Sequence, residues 1–308
     1  RAEQRANPSI KLGAAPLVGR DDLDGWVWRF GISLIAAALL VLLVAFSCWR
    51  GWWWRARQRW VLVATMCGAM LFAALLALGD GISGLKYGAE HETEYLINLR
   101  HAPPAGEFVR TFLDRLDFYS VHVRGHPPGY LLVLKFLRAV GLGGVWPVVV
   151  VSLLATGVVA AAVLITVRAV AGSEWMRRAA PLLIVAPYAI WMMTSADALF
   201  TCVGALGIAA VAVGATRNRV QALLFGIAAG LLLGFLLYLT YLGAVLLVIP
   251  GALLVLALFQ RERGTWFVVM GGTAAAIVVV GLFWLAGFWW LKRATERCSF
   301  VGCRYWPM

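Results

Sequence analysis

Residues Trp28 to Asp80 read WRFGISLIAAALLVLLVAFSCWRGWWWRARQRWVLVATMCGAMLFAALLALGD. Two apolar runs, 28–48 and 60–82, each approach the length of about 20 residues that a helix needs to cross the hydrocarbon core of a bilayer. Between them stands a short turn carrying Arg50, Arg55, Arg57 and Arg59 among tryptophans. In lipid, a segment must satisfy its own backbone N–H and C=O groups, so each run is expected to be a helix. Arg and Trp are the residues that gather at the boundary between membrane and water.

The same alternation continues outward from this stretch. Further apolar runs cover 145–170, 179–194, 197–214, 220–238, 240–259 and 265–290, for an expected total of about eight spans. With 62% hydrophobic residues and a mean hydropathy of +0.83, no stretch remains that would build a soluble core. The expected fold is all-α, a polytopic transmembrane helical bundle forming a single membrane domain over 1–308. It would have an N-terminal tail at 1–27, a long loop at 83–144 and a C-terminal tail at 291–308. The net charge of +12 is held in short Arg clusters between apolar runs, which fits loops beside anionic lipid. No basic face is interleaved with exposed aromatics, so nucleic acid is not an expected partner. The five cysteines form neither a disulfide framework nor a zinc spacing. Cys298 and Cys303 are left as either a pair or two free thiols. Residue 1 is Arg, and no signal-peptide h-region follows it, so the chain is expected to be a fragment. Asp21 and Asp22 fit a helix cap or a solvated linker better than a carboxylate site.

Arg50 to Arg59, Arg168 to Arg178, Arg217 with Arg219, and Arg261 with Arg263 fall in alternate turns. If all four turns are cytoplasmic, the positive-inside rule holds throughout. The 83–144 loop, the Thr194 to Asp197 turn and the Tyr238 to Tyr241 turn then face outward, as does the N-terminus. This solution requires PPGYLLVLKFLRAV (Pro127 to Val140), short and carrying Lys135 and Arg138, to lie at the interface as an amphipathic helix. EFVRTFLDRLDFY (Glu107 to Tyr119) is expected to be a second surface helix, with Phe108, Phe112, Leu113 and Leu116 at helical spacing.

All four histidines (His91, His101, His122 and His126) and seven of the fifteen acidic residues lie between Asp80 and His126. Titratable groups are costly in hydrocarbon, so the chemistry of the chain is expected in this loop. Asp80 ends a span, and Glu90, Glu92 and Glu94 follow. If their string is helical, Glu90 and Glu94 share a face, and like charges would raise one pKa toward that of a base. The plainer alternative is a helix end followed by a solvated loop. Pro127 and Pro128 fix the direction of His126, and Arg124 adds a charge suited to phosphate. Capping of the next helix is the alternative role for His126. His91, Glu92 and Glu94 form a weak candidate for a divalent ion, and no metal ligand is assigned. Asp197 is either an isolated intramembrane carboxylate with a function or part of a helix cap with Thr194 and Ser195. Tyr238 and Tyr241 are candidates for lining a lipid or sugar cleft, with an interfacial aromatic belt as the plainer alternative.

The acidic-aromatic string EHETEYLINL (Glu90 to Leu99), the HVRGHPPG segment (His122 to Gly129) and TSADALF (Thr194 to Phe200) together resemble the GT-C superfamily of integral-membrane glycosyltransferases. The resemblance is to the mannosyltransferase and aminoarabinosyltransferase branches and, more closely, to uncharacterised bacterial integral membrane proteins with an HVRGHPPG motif. It covers about residues 79–241. It implies a multi-pass enzyme of the cell membrane, with its functional loop on the outer face, that moves a sugar from a polyprenyl-phosphate donor to a glycan, lipid or protein acceptor. Asp80, Glu94 or Glu92 would be catalytic. Arg124, His126, Asp197, Tyr95 and Tyr241 would bind substrate. The resemblance leaves the need for a divalent metal open. Members of the superfamily usually have more spans and often a soluble C-terminal domain, so the CSFVGCRYWPM ending is expected to be a truncation. Two other classes compete. A transporter or flippase would want paired intramembrane charges and repeated halves, which the sequence lacks. A non-enzymatic scaffold would leave the histidines and carboxylates of the loop without a use.

Overall fold

The computed structural model describes residues 31–289, and among these every regular element is helical. The expectations at Asp21, Asp22, Cys298 and Cys303, and those for the two tails, lie outside the described residues. The quoted stretch folds as α1 (Ile32–Trp49), the single turn α2 (Trp52–Arg55) and α3 (Gln58–Ala77). A 3₁₀ turn, Leu78–Asp80, leads to α4 (Ile82–Glu90), and the loop beyond contains α5 (Ala105–Thr111), α6 (Val121–Gly125) and α7 (Gly129–Ala139). Then come α8 (Val145–Ile184), α9 (Asp197–Ala215), α10 (Arg219–Leu239), α11 (Gly243–Leu246), α12 (Val248–Phe259) and α13 (Thr265–Leu285).

Six helical runs among the described residues are long and apolar enough to cross a membrane: Ile32–Trp49, Gln58–Asp80, Val145–Ile190, Asp197–Ala215, Arg219–Leu239 and Thr265–Leu285. The chain is thus a multi-pass membrane protein. The difference from the expected eight lies in two places. Residues 243–259 form two short helices in sequence, α11 and α12. The expected spans 145–170 and 179–194 fall in the one long run, which is broken at Gly172, where φ is 88° and ψ 177°. Gly157 on the first limb packs against Met66 and Met70 of α3, while Ile184 on the second packs against Gly68 between them. A straight helix would hold residues 27 apart at about 40 Å. The chain therefore doubles back at Gly172, in a conformation that only glycine adopts without strain.

The packing divides into two units. The first ends at Glu94 and resumes over Gly144–Ala209. The second comprises Tyr95–Gly143 and continues from Ala210. The expected 83–144 loop is therefore shared, with α4 belonging to the first unit and α5 to α7 to the second. In the first unit, Ala69, Ala73 and Ala77 form a buried small-residue stripe on α3. Phe72 and Ala73 pack with Val149 and Met193, and Val61 with Leu164, Met176 and Ala180. Helices in lipid gain no water-exclusion energy from meeting each other, so small residues that permit dense contact hold them together.

In the second unit this principle is carried further. Gly226, Gly230 and Gly234 recur every fourth residue on α10 and face α13. A Cβ at Gly230 would lie 2.1 Å from the Gly272 carbonyl oxygen, and one at Gly226 2.5 Å from that of Val268. The α5–α7 segment docks on the ends of these helices through aromatic rings. Tyr238 stacks on Phe283 at 3.7 Å and meets Phe288, which meets Phe112, and Phe112 stacks on Tyr119. Glu107 to Tyr119 is not the expected surface helix. It breaks after α5 into a 3₁₀ turn at Leu116–Phe118, and Phe108 and Phe112 are fully buried because they fill this aromatic cluster. Tyr238, expected at a cleft or an aromatic belt, is likewise buried in this cluster. The expected helix after Pro127 does form, as α7. At 11 residues it extends about 16 Å, too short for a bilayer. Its cations are used inside the loop. Lys135 donates to the carbonyls of Ala102 at 3.0 Å and Pro103 at 2.5 Å, and Arg138 donates to that of Leu99.

Candidate functional site

The first unit gathers carboxylates. α4 ends at Glu90, whose exposed side chain pairs with Lys86 at 3.5 Å. The chain then turns, which buries Glu94 to 2% exposure. Glu90 and Glu94 thus do not share a helix face, as the sequence suggested, because the helix ends before Glu94. Burial is the main reason that the Glu94 carboxyl is raised from its ordinary 4.5 to about 8, and the negative charge of Asp197 adds to it. The like-charge neighbour is therefore Asp197, a hundred residues downstream, in place of Glu90.

Asp197 is brought to Glu94 by local packing. A Cβ at Gly88 would lie 2.8 Å from the Ser195 amide nitrogen and the Thr194 carbonyl carbon, so α4 lies directly on the turn before α9. Ser195 Oγ donates to Asp197 Oδ2 at 2.8 Å and accepts the Asp197 amide N–H at 3.2 Å. Asp197 is thus an exposed first-turn residue at the start of α9, where the helix dipole favours its charge. It is not sequestered within a span. Asp80 lies half-buried in the 3₁₀ turn, with its carbonyl accepting from Ser83 Oγ at 2.7 Å. Glu92 is exposed. His91 stacks on Tyr87 at 4.7 Å, with Nδ1 2.7 Å from Thr93 Oγ1. Among the described residues no three His, Cys, Asp or Glu side chains are placed to hold a metal ion, so the grouping of His91, Glu92 and Glu94 is not formed.

The second unit gathers rings. Tyr95 is 2% exposed. Its ring meets Tyr130 at 4.7 Å, His126 at 6.1 Å and His122 at 6.3 Å, all edge-on. A brace holds the cluster: Asn98 Nδ2 donates to Ser120 Oγ at 2.8 Å, and the Ser120 amide N–H returns a bond to Asn98 Oδ1 at 2.9 Å. His126 ends α6 in extended conformation, and Pro127 and Pro128 lead into α7, which begins without a side-chain cap. The capping role considered for His126 is therefore not seen. Arg124, on α6, is exposed. Tyr241 is half-buried in the turn after α10.

No family model, curated protein or solved structure matches this chain. What remains is the chemistry of the two groups, which meet in the chain at the peptide bond between Glu94 and Tyr95. The first supplies a buried carboxyl whose carboxylate form is a stronger base than an ordinary carboxylate. The second supplies aromatic surface, two imidazoles and an exposed guanidinium, groups that suit a sugar ring and a phosphate. Sequence reasoning missed Tyr130, Asn98 and Ser120, and it had Ser195 only as part of a helix cap at Asp197, the role its two bonds to Asp197 fit.

Proposed function

We propose that the chain is a membrane-embedded glycosyltransferase of the GT-C kind, using a polyprenyl-phosphate sugar as donor and a glycan, lipid or protein hydroxyl as acceptor. The observation that carries this reading is the burial of Glu94 outside the candidate spans, with its carboxyl raised to about 8 beside Asp197. Transfer to a hydroxyl needs a base for the proton that the acceptor loses, and a raised carboxyl provides one. Glu94 is assigned this role ahead of Asp80 and of the exposed Glu92. Arg124 and His126 hold the departing lipid phosphate, Tyr95 and Tyr241 border the sugar or lipid, and Asp197 tunes Glu94. The test is transfer of radiolabel from polyprenyl-phosphate sugars by membranes containing the full chain, with and without chelator. Arg124→Ala and His126→Ala should each raise the donor concentration needed for half-maximal rate, by about tenfold for loss of one charge-assisted contact. Maximal rates should change less. If both variants show wild-type donor dependence, this phosphate assignment is wrong.

The same buried carboxyl would also suit a proton-coupled lipid carrier, the runner-up reading. Donor translocation without sugar transfer in reconstituted vesicles would favour it.

In this reading the residues from 83 to 144 face outward and the arginine turns inward, by the positive-inside rule, with eight crossings counted when the second limb of α8 and the pair α11–α12 each traverse. Single cysteines at the exposed positions Gly106 and Leu142, in a chain cleared of its own five, should label from one side. A cysteine at Arg217 should label from the other. Opposite labelling of Gly106 and Leu142 would mean that α7 crosses the bilayer, which would invert every turn after it.

A further inference from the structure

The turn between α1 and α3 and the stretch just after the Gly172 reversal are about 120 residues apart, yet they build one surface within the first unit. The fastener is Arg177, which donates to the carbonyl oxygens of Trp53 and Ala56. Trp53 itself is buried, and its indole N–H donates to Ser47 Oγ at 2.9 Å. With Trp53, Met176 and Arg177 turned inward, the other arginines of both segments are left outside. Arg50, Arg55, Arg57, Arg59 and Arg178 are all exposed, and Glu174, bonded to Arg178 at 2.5 Å, is the one acid among them. Exposed indoles are interspersed with these charges. The Arg178 guanidinium lies over Trp175 at 4.9 Å and over Trp54 at 6.0 Å, and that of Arg59 over Trp60 at 5.4 Å.

We infer that this surface is a binding site for the headgroups of anionic phospholipids. Three features favour that occupant. The surface lies where candidate spans end, at Trp49, and begin, at Gln58, so it faces the level of lipid headgroups. Its charge is four positive after Glu174 is set against the five arginines, which matches a cluster of phosphodiesters. Its exposed tryptophans supply the amphipathic rings that settle among headgroups. A planar guanidinium held on an indole face keeps its outer N–H groups free to fork onto phosphate oxygens. The inference uses none of the residues of the carboxylate and ring groups and does not depend on the transferase reading.

The test uses the full chain in nanodiscs of phosphatidylcholine doped with phosphatidylglycerol, released and weighed by native mass spectrometry so that co-retained lipids are counted. Each arginine beside an anionic lipid surface is worth about fivefold in binding. The wild-type chain should retain phosphatidylglycerol over phosphatidylcholine by at least about tenfold. Combined replacement of Arg50, Arg55, Arg57 and Arg59 by Gln should bring retention to within about twofold of the lipid ratio supplied. Replacement of Arg217, Arg219, Arg261 and Arg263 by Gln, in the other basic turns, should leave the preference intact. If the fourfold variant does not fold, Arg57→Gln with Arg59→Gln should still lower the preference at least about threefold. No preference in the wild type, an undiminished one in the fourfold or twofold variant of the Arg50 to Arg59 turn, or an equal loss in the variant of the other basic turns overturns the inference.

Discussion

Glu94→Gln should reduce sugar transfer by a hundredfold to ten-thousandfold, the usual range for loss of a general base, in a chain that still inserts and still binds its lipid donor. The prediction rests on charge state. Below about pH 8 the Glu94 carboxyl is protonated and neutral, so an amide of nearly the same shape replaces it without changing the charge of a buried site. The fold should survive while the base is lost. In the wild-type chain the active form is the carboxylate, so the rate should climb about tenfold per pH unit toward pH 8 and level off above it. Asp197→Asn removes the smaller of the two causes that raise this pKa. The midpoint of the profile should then move to lower pH, though not to 4.5, because burial remains. A rate of transfer that is unchanged in Glu94→Gln would remove the transferase mechanism proposed for this carboxyl.

The sign of the effect on stability follows from the same shift. The folded chain holds the Glu94 proton up to about pH 8, whereas the unfolded chain releases it near 4.5. The associated stability is complete below 4.5 and is lost as pH rises through 8. Thermal unfolding in a neutral detergent should therefore show a lower midpoint at pH 9 than at pH 5, and Glu94→Gln should flatten that difference.

The membrane-spanning helices were legible in the sequence because their signal is local. Lipid demands a continuous apolar run of fixed length, and Ile32–Trp49, Gln58–Asp80, Asp197–Ala215, Arg219–Leu239 and Thr265–Leu285 begin and end within a few residues of their expected positions, as far as the described residues extend. The break in α8 was legible for the same reason, since the hydropathy lapses around Gly172. The loop was harder to read. Phe108 and Phe112 have the spacing of an amphipathic surface helix, but spacing does not say whether the apolar side meets lipid or protein. Here it meets Tyr119 and Phe288. Lys135 and Arg138 read as interface charges for a like reason. Their partners are the carbonyls of Ala102, Pro103 and Leu99, more than thirty residues back. Glu94 was singled out with Asp80 and Glu92 as a candidate base, on the expectation of a like-charge pair with Glu90 that does not form. The carboxylate acting on it is Asp197, and no periodicity in the sequence connects the two.

Gly230→Leu should have the largest effect on folding of any single substitution in the second unit. Because α10 and α13 meet backbone to backbone, even the first carbon of a side chain at position 230 has no space, since it would fall 2.1 Å from the Gly272 carbonyl oxygen and 2.9 Å from the Ala275 Cβ. Neither neighbour is the mobile end of a long side chain. Accommodation requires the two helices to separate along their length, which would also part Gly226 from Val268 and Gly271 from Leu223, contacts of 2.5 Å and 2.6 Å to the Cβ positions. Overpacking of a well-filled interior typically costs about 1–3 kcal/mol, and separation of a glycine-lined pair adds the dispersion lost along the whole contact. Loss of folded chain should therefore be at least about tenfold in a detergent-stability assay. Gly251→Leu is the control, because a Cβ at that glycine on α12 meets nothing within 4 Å and should be tolerated. The α10–α13 contact depends on the absence of side chains, so Gly230→Ala should already be damaging, with Gly230→Leu more so. Equal stability of the Gly230 and Gly251 variants would mean that the two helices are not held by direct backbone approach.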